Sequence, residues 1–127
     1  MKKIIYFIAI LATSFCFSQD ILMENGTFNR CAPDVFYDSG GEFGNYGDNE
    51  NLVTTICPQN SDEFIILNFT LFTTQLGISP DTMNIYDGDD TTATLIGSYA
   101  GTNNPGMVSA SDTNTSGCLT FEFISSD

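Results

Sequence analysis

A polar segment closed by two cysteines, residues 31–57, constrains the fold of this chain more than any other stretch. It is rich in glycine and poor in apolar side chains, so ordering it costs backbone entropy that burial cannot offset. A covalent closure would supply the missing constraint. We therefore predict a disulfide between Cys31 and Cys57, which would stabilise the fold by about 3–4 kcal/mol. Residues 35–37 and 52–56 have the β-branched and aromatic content of strands, so the segment predicts a strand, a long turn and a second strand.

The first eighteen residues have the organisation of a secretory signal peptide. Two lysines precede an apolar run over residues 4–12, which is too short to cross a bilayer as a helix. Small side chains before Gln19 suit cleavage there. We predict a signal peptide over residues 1–18 and a mature chain, without a membrane span, that is secreted or displayed at the cell surface. Lipidation at Cys16 is an alternative, although a bulky Phe precedes it where lipoprotein signals carry a small residue.

The charge balance argues against nucleic acid as a partner. The chain has three basic and sixteen acidic residues, a net charge of −13. Losing Lys2 and Lys3 with the signal peptide changes this to −15 and leaves Arg30 as the only cation. Such a surface repels phosphate backbones and anionic membranes. Its natural counterparts are cations or basic patches, although solubility alone also explains an acidic surface.

The residue types that common catalytic mechanisms need are missing. The sequence has no His, and no Lys follows Lys3. This excludes imidazole base catalysis, Schiff-base formation and histidine metal sites. Two carboxylates can hydrolyse a glycoside, but with sixteen acidic residues chance pairing is the better explanation. The sequence therefore predicts a protein that is not an enzyme.

Short alternating segments predict an all-β fold. Asn25-Gly26 is a strong two-residue turn signal and predicts a hairpin over residues 21–29. The period-two pattern of strands occurs at residues 63–72, 83–86 and 119–123. The first of these is the longest and is predicted to be the central strand. No stretch of the mature chain has a helical stripe, and the turn-forming clusters between segments indicate a two-sheet sandwich.

Several motifs over residues 31–127 resemble those of a bacterial CUB domain. In order they are Cys31, residues 36–41, Tyr46, residues 49–51, 56–58, 81–88, 95–101 and 117–123. Each motif is weak alone, and their shared order makes the resemblance fairly specific. It implies a jelly-roll β-sandwich. The domain organisation expected from it is a signal peptide over 1–18, a lead-in hairpin over 19–30 and a CUB-like domain over 31–127.

The resemblance also offers an explanation for an odd cysteine. The mature chain has three cysteines, Cys31, Cys57 and Cys118, and an odd number in an exported protein needs a partner. In bacterial relatives the cysteine at the position of Cys118 pairs with one beyond the final strand. Because the sequence stops at Asp127, the resemblance implies a domain without its last strand and a Cys118 that pairs with a cysteine absent from this fragment.

A calcium site is implied by the same resemblance. Asp81 and Asp127 match two Asp ligands of the CUB family and Tyr46 its supporting Tyr, while the family's Glu has no counterpart here. Calcium takes oxygen ligands, so it is the candidate cofactor. The resemblance further implies binding through loops at one end of the sandwich. The binding-loop candidates are Asp38, Gly40, Tyr46, Asn49 and Asp87.

The functional hypothesis is a secreted or cell-surface, non-catalytic module that binds extracellular protein or glycan. One alternative is an accessory domain of a larger exported hydrolase whose catalytic part lies beyond residue 127. Another is a stand-alone carbohydrate-binding module that uses its tyrosines for sugar stacking, although the chain has no Trp, the usual stacking residue.

Overall fold

The computed structural model describes residues 19–31 and 34–127, so the predicted signal peptide lies outside the described residues. The described residues form nine β-strands and no helix, which confirms the all-β prediction. None of them belongs to a helix that could cross a membrane. The strands are β1 (Ile21–Leu22), β2 (Gly26–Arg30), β3 (Phe36–Tyr37), β4 (Asn51–Pro58), β5 (Ile66–Asn68), β6 (Thr82–Asp87), β7 (Thr94–Ala100), β8 (Met107–Ser109) and β9 (Leu119–Ile124).

Strand β9 is the centre of a five-stranded sheet. The strand order is β2-β4-β9-β6-β7, and all pairs are antiparallel except β2 with β4. Leu119, Phe121 and Phe123 alternate along β9 and are buried. Phe121 lies opposite Ile85 of β6, another fully buried residue. The strands predicted around residues 83–86 and 119–123 are therefore confirmed, with one face of each in the core.

A second layer covers the same face of this sheet, and it consists of two small sheets. One pairs β1 with β3 in parallel, and the other pairs β5 with β8 antiparallel. The ring centroid of Phe36 in β3 lies 5.0 Å from that of Phe121, and the centroid of Phe69, just after β5, lies 6.3 Å from it. The fold is a β-sandwich whose second layer is divided into two halves.

The core lies between the two layers. Both halves of the second layer contribute to it, through Ile21 and Val108 among others. The fully or nearly fully buried apolar residues are Ile21, Met23, Ile56, Met83, Ile85, Val108, Ala110, Leu119, Phe121 and Phe123. Burying side chains of this size contributes about 1.5–3 kcal/mol each before chain entropy is subtracted.

The hairpin predicted over residues 21–29, and with it the lead-in hairpin over 19–30, is wrong. Strand β1 pairs with β3 and strand β2 with β4, so the two lie in different layers. The connection between β1 and β2 is hydrogen-bonded to β4. Thr54 Oγ1 donates to the Glu24 carbonyl (2.7 Å) and accepts from the Glu24 amide (3.0 Å). Asn25 Oδ1 accepts from the Val53 amide (2.8 Å). The Asn-Gly turn moves the chain from one layer to the other.

Residues 63–72 do not form the central strand, which corrects a second prediction. Only Ile66–Asn68 is a strand, and it lies in the small β5-β8 sheet. Leu67 and Phe69 pack on the core from this segment, whereas Ile66 is 56% exposed. The alternation correctly identified an inner face. It could not identify the number of neighbours the strand would have.

The predicted disulfide between Cys31 and Cys57 is also wrong, because Cys57 is bonded to Cys118. The β4-β9 register pairs Ile56 with Leu119, so the next positions, 57 and 118, face each other with 4.1 Å between their Cα atoms. Cys31 is disulfide-bonded as well, but not to Cys57. The prediction that Cys118 needs a cysteine beyond residue 127 is wrong for the same reason. Likewise, residues 35–37 and 52–56 lie in different sheets and not in one hairpin.

Candidate functional site

The turn after β3 has a fixed shape. Asp38 Oδ1 accepts a hydrogen bond from the Gly40 amide (2.9 Å), and the Gly41 amide donates to the Asp38 carbonyl (3.1 Å). Gly41 has a φ of +74°, which favours glycine. A Cβ on Gly40 would collide with the Asn45 carbonyl. The predicted loop residues Asp38 and Gly40 therefore shape a tight turn.

The end of this loop is tied to the segment that follows β9. The Glu50 amide donates to Ser125 Oγ (2.8 Å), and the Ser125 amide donates to the Glu50 carbonyl (3.0 Å). Ser125 Oγ donates in turn to the Gly47 carbonyl (2.8 Å). The Ser39 hydroxyl donates to the Glu50 carboxylate, whose nearer oxygen is 2.6 Å away. Because Ser125 is nearly fully buried, these bonds hold the loop firmly against the sandwich.

Asp81 is a buried carboxylate at the same end, immediately before β6, and is only 2% exposed. Its Oδ1 accepts from the Ser126 amide (2.7 Å) and hydroxyl (3.1 Å), and its Oδ2 accepts from the Tyr46 hydroxyl (2.8 Å). Burial raises the pKa of Asp81, but the hydrogen bonds from Ser126 and Tyr46 outweigh it, so the pKa lies below the usual value. Asp81 is therefore a fixed anion that joins three loops.

Tyr46 connects this carboxylate to the core. Its hydroxyl donates to Asp81 and accepts from the Gln75 amide (2.8 Å). Its ring packs edge-on against Phe123, with 4.8 Å between centroids. Burial, together with the hydrogen bond to Asp81, raises the pKa of the Tyr46 hydroxyl. The hydroxyl therefore stays protonated at neutral pH and serves as a hydrogen-bond donor.

Asn49 and Asp127 complete the cluster. The Asn49 side-chain amide donates to the Asp127 carboxylate, and the Asn49 backbone amide donates to the Ser126 carbonyl (3.2 Å). Asn49 has a φ of 57°, a left-handed conformation that Asn tolerates better than most residues. Asp127 is exposed. Ser126 thus lies between the two predicted metal ligands, Asp81 and Asp127.

Asp87 does not belong to this cluster. It is the last residue of β6, whereas Asp81 precedes the first, so the strand's full length separates them. Asp87 Oδ1 accepts from the Ser111 amide (3.0 Å) and from the Asn114 side chain (2.7 Å). Burial raises the pKa of Asp87, but these hydrogen bonds outweigh it, so the pKa lies below its usual value. Its role is to fix the turn at the opposite end.

A cleft opens beside the loop cluster, between the two halves of the second layer. It encloses about 540 Å³, and Tyr46 lies on its wall. Residues 35–38 border it on one side and residues 69–74 on the other, while Met83 and Phe123 lie at its base. A second cavity of about 300 Å³ continues along the same boundary, past Phe36 and residues 66–71. Volumes of this size are typical of ligand sites.

The rim of the cleft is acidic. Asp38 and Glu42 border the larger cavity, and Asp34 borders the smaller one. Asp34 is paired with Arg30, whose Nε lies 3.2 Å from Asp34 Oδ2. Since Arg30 is the only basic residue after Lys3, no cation of the described chain is left for Asp38 or Glu42. The cleft therefore combines apolar walls with unpaired negative charge.

The oxygen atoms at this end do not form an evident metal centre. The described part of the chain contains no group of three or more Asp, Glu, His or Cys side chains that could hold a metal ion. Both Asp81 oxygens already accept hydrogen bonds from protein donors. A calcium ion at this end would therefore take its remaining ligands from neutral oxygens and water.

Most of the predicted loop residues lie together, and several important ones were missed. Tyr46, Asn49, Asp81 and Asp127 meet in one cluster, with Asp38 and Gly40 in the adjoining turn. Sequence reasoning did not assign roles to the residues that hold the cluster or form the opposite wall of the cleft. These are Glu50, Thr74, Ser125, Ser126 and residues 69–73. Residues 69–72 carry the period-two pattern and Glu50 lies in one of the motifs, but neither signal reveals these roles, which depend on contacts distant in sequence.

Together the fold and the site define an all-β sandwich domain with a clustered loop end and an open, acid-rimmed cleft. The sequence matches no family model and no curated protein.

Proposed function

We propose that this chain is an exported, non-catalytic interaction domain that binds an extracellular protein or glycan at the cleft and the adjoining loop cluster. The observation that carries the proposal is the cleft itself, whose apolar walls and acidic rim lie beside a set of loops joined by hydrogen bonds. Exposed apolar surface rimmed by polar groups is typical of interaction sites. Leu71 on its wall is 85% exposed, so an apolar side chain is available to a partner.

Cysteine usage supports an extracellular location. Cys57 and Cys118 form a disulfide. Disulfides persist mainly in oxidising compartments. The strongly acidic surface agrees with this location and with a partner that is neither nucleic acid nor an anionic membrane.

The chemistry of the cluster supports a binding role over catalysis. The Asp81 carboxylate accepts three hydrogen bonds and has a lowered pKa, so it is a poor proton acceptor. The chain offers no His, and its lysines lie at positions 2 and 3. We therefore assign Asp81 and Tyr46 to positioning the loops.

The CUB assignment, its jelly-roll topology and its calcium site stay predictions of the sequence. The proposal does not depend on them, because it rests on the cleft and the adjoining loop cluster. Thermal melting with calcium and with a chelator tests whether the chain binds calcium. We expect equal melting temperatures. A melting temperature that rises with calcium in the native chain, and does not rise in Asp127→Asn, would support the calcium site.

A binding screen tests the proposed function. The 127-residue chain would be measured against panels of extracellular proteins and glycans, together with Leu71→Lys and, as a matched control, Ile78→Lys. Ile78 is fully exposed and borders neither cavity. A ligand whose binding is weakened by Leu71→Lys and left unchanged by Ile78→Lys supports the proposal. Finding no ligand, or equal weakening by both variants, contradicts it.

A further inference from the structure

One side of the sandwich ends in two free strand edges. Among the described residues, β7 pairs only with β6 at the edge of the five-stranded sheet, and β8 pairs only with β5. Residues 101–106 connect β7 directly to β8. The two edges therefore lie on the same side, one in each layer, and none of their residues borders the cleft. We call this side the β7-β8 flank, defined by residues 94–100 and 107–109.

The flank lacks charge although the chain is strongly acidic. No charged residue lies between Asp90 and Asp112, and no other uncharged interval of the sequence is as long. Exposed edge strands usually carry charged residues or proline, which discourage pairing with another chain. Neither β7 nor β8 contains one. Both edges on this side therefore lack that protection.

Apolar side chains are exposed on both strands of the flank. Leu95 and Ile96 of β7 are 51% and 39% exposed, and Met107 of β8 is 74% exposed. Tyr99 packs against the core from β7, and its ring lies back along the strand, over Gly97. The flank thus presents apolar side chains beside the free backbone edge of a strand.

Part of β7 has a regular edge that can receive another strand. A β-bulge at Ile96 interrupts the pairing with β6, because Gly97 lies opposite Ile85 and Leu95 lies opposite Tyr86. From Gly97 to Ala100 the register with β6 is regular. Alternate backbone N–H and C=O groups of this segment therefore point away from β6, where no other described strand lies.

The distribution of charge around the flank favours a second copy of this chain in antiparallel orientation. Asp87, Asp89 and Asp90 precede β7, whereas the turn that follows it, residues 101–106, is uncharged. If two β7 strands pair antiparallel, the acidic turn of each copy lies beside the uncharged turn of the other. The two acidic turns are then roughly 20 Å apart, well beyond the Debye length of about 8 Å at physiological ionic strength. A partner attracted by charge would instead meet one of the acidic surfaces.

We propose that this chain forms a two-fold symmetric dimer through the β7-β8 flank. The two β7 strands pair antiparallel and join the two five-stranded sheets into one continuous sheet. Because the same surface of each copy is used, the contact is closed and the assembly stops at two chains. The flank lies outside the cleft, so the dimer presents two clefts and would bind a multivalent partner more tightly than one chain does. The dimer itself does not depend on the function proposed for the cleft.

Sedimentation velocity of the full chain tests this assignment. We expect a monomer at about 1 μM and a dimer at about 500 μM, because small interfaces of this kind are weak. Two acidic copies repel each other, so raising the NaCl concentration from about 50 to about 500 mM should strengthen the association about threefold or more. An association held by opposite charges would weaken instead.

A pair of variants locates the contact. Ile96→Asp places a like charge on the flank of each copy and should weaken the dimer about tenfold or more. Phe43→Asp is the matched control, because Phe43 is 94% exposed and lies between β3 and β4, outside the flank. It should leave the association unchanged.

Amide hydrogen exchange of the native chain gives a readout that does not require a variant to fold. Between low and high protein concentration, alternate amides of residues 97–100 should gain protection. The amides of β2, at the opposite edge of the same sheet, should not change.

Four results would overturn the inference. The first is a chain that stays monomeric over the whole concentration range. The second is an association that Ile96→Asp leaves unchanged, or that Phe43→Asp weakens equally, which would place the contact on another surface. The third is an association that weakens as salt is added. The fourth is concentration-dependent protection at β2 and none at β7. A chain that binds a ligand at the cleft and stays monomeric would keep the proposed function and refute the dimer.

Discussion

Replacing Asp81 with asparagine tests the role of the buried carboxylate most sharply. The substitution keeps the size of the side chain and removes its charge. In the native site, Ser126 donates two hydrogen bonds to one oxygen (2.7 and 3.1 Å) and Tyr46 donates one to the other (2.8 Å). An asparagine oxygen can keep the Ser126 bonds in weaker form. Its NH₂ group then faces the Tyr46 hydroxyl, which loses its acceptor.

The expected loss of stability follows from these contacts. A hydrogen bond to a charged group contributes about 1.5–3 kcal/mol, against about 0.5–1.5 kcal/mol for a neutral one. With one bond lost and two weakened, we expect Asp81→Asn to lower the free energy of unfolding by about 2–4 kcal/mol at pH 7. Asp62→Asn, which removes an exposed charge without a hydrogen bond, should change it by less than about 0.5 kcal/mol.

The pH dependence gives a second, independent readout. The pKa of Asp81 is lowered in the folded state, so around pH 4 the unfolded chain binds more protons at this residue than the folded chain. The stabilisation by the carboxylate is therefore complete above the unfolded pKa of about 3.9 and is lost as the pH falls through the lower, folded pKa. Urea unfolding at pH 7, 5 and 3 should show a smaller difference between the native chain and Asp81→Asn at pH 3 than at pH 7. A constant difference at all three values, or no difference at pH 7, would refute this account of Asp81.

Three other predictions follow from the described contacts. Changing Cys57 and Cys118 together to alanine should lower the free energy of unfolding by about 4 kcal/mol, because the bond links residues 61 positions apart. Urea unfolding measures this change, and a loss below about 1 kcal/mol would contradict the pairing. Thr54→Val, which leaves the Glu24 amide and carbonyl without their partner, should lower the free energy of unfolding by about 1–3 kcal/mol in the same assay. An unchanged free energy of unfolding would show that these two bonds do not stabilise the connection between β1 and β2. Tyr46→Phe should cost about 1–3 kcal/mol at pH 7 through the unpaired Asp81 oxygen, and the loss should shrink at pH 3; a loss that persists there would point to ring packing instead.

The sequence predicted the strands of the main sheet because their signal is local. In β6 and β9 every second side chain is buried against the second layer, so the period-two pattern is visible without any knowledge of pairing. Residues 63–72 show the limit of this reasoning. Their alternation identified an inner face, but an edge strand and a central strand can have the same pattern, and only the pairing separates them.

Contacts distant in sequence explain the remaining errors. Cys57 meets Cys118 because β4 and β9 pair in one register, and a cysteine count cannot supply a register. Likewise, the loops holding Tyr46 and Asp81 were predicted to lie at one end, but their link through Ser126 depends on how β9 ends. The cleft was not predicted at all, since it arises from the division of the second layer.

Amide hydrogen exchange of the chain, with and without a ligand found in the binding screen, tests the central claim most directly. If the ligand binds at the cleft and the adjoining loop cluster, the amides of residues 35–38 and 69–74, which border the cleft, become protected when it binds. The amides of β7, at the edge of the main sheet, should not change. Protection at β7 instead, or no added protection along the cleft, would contradict the claim that the cleft is the binding site.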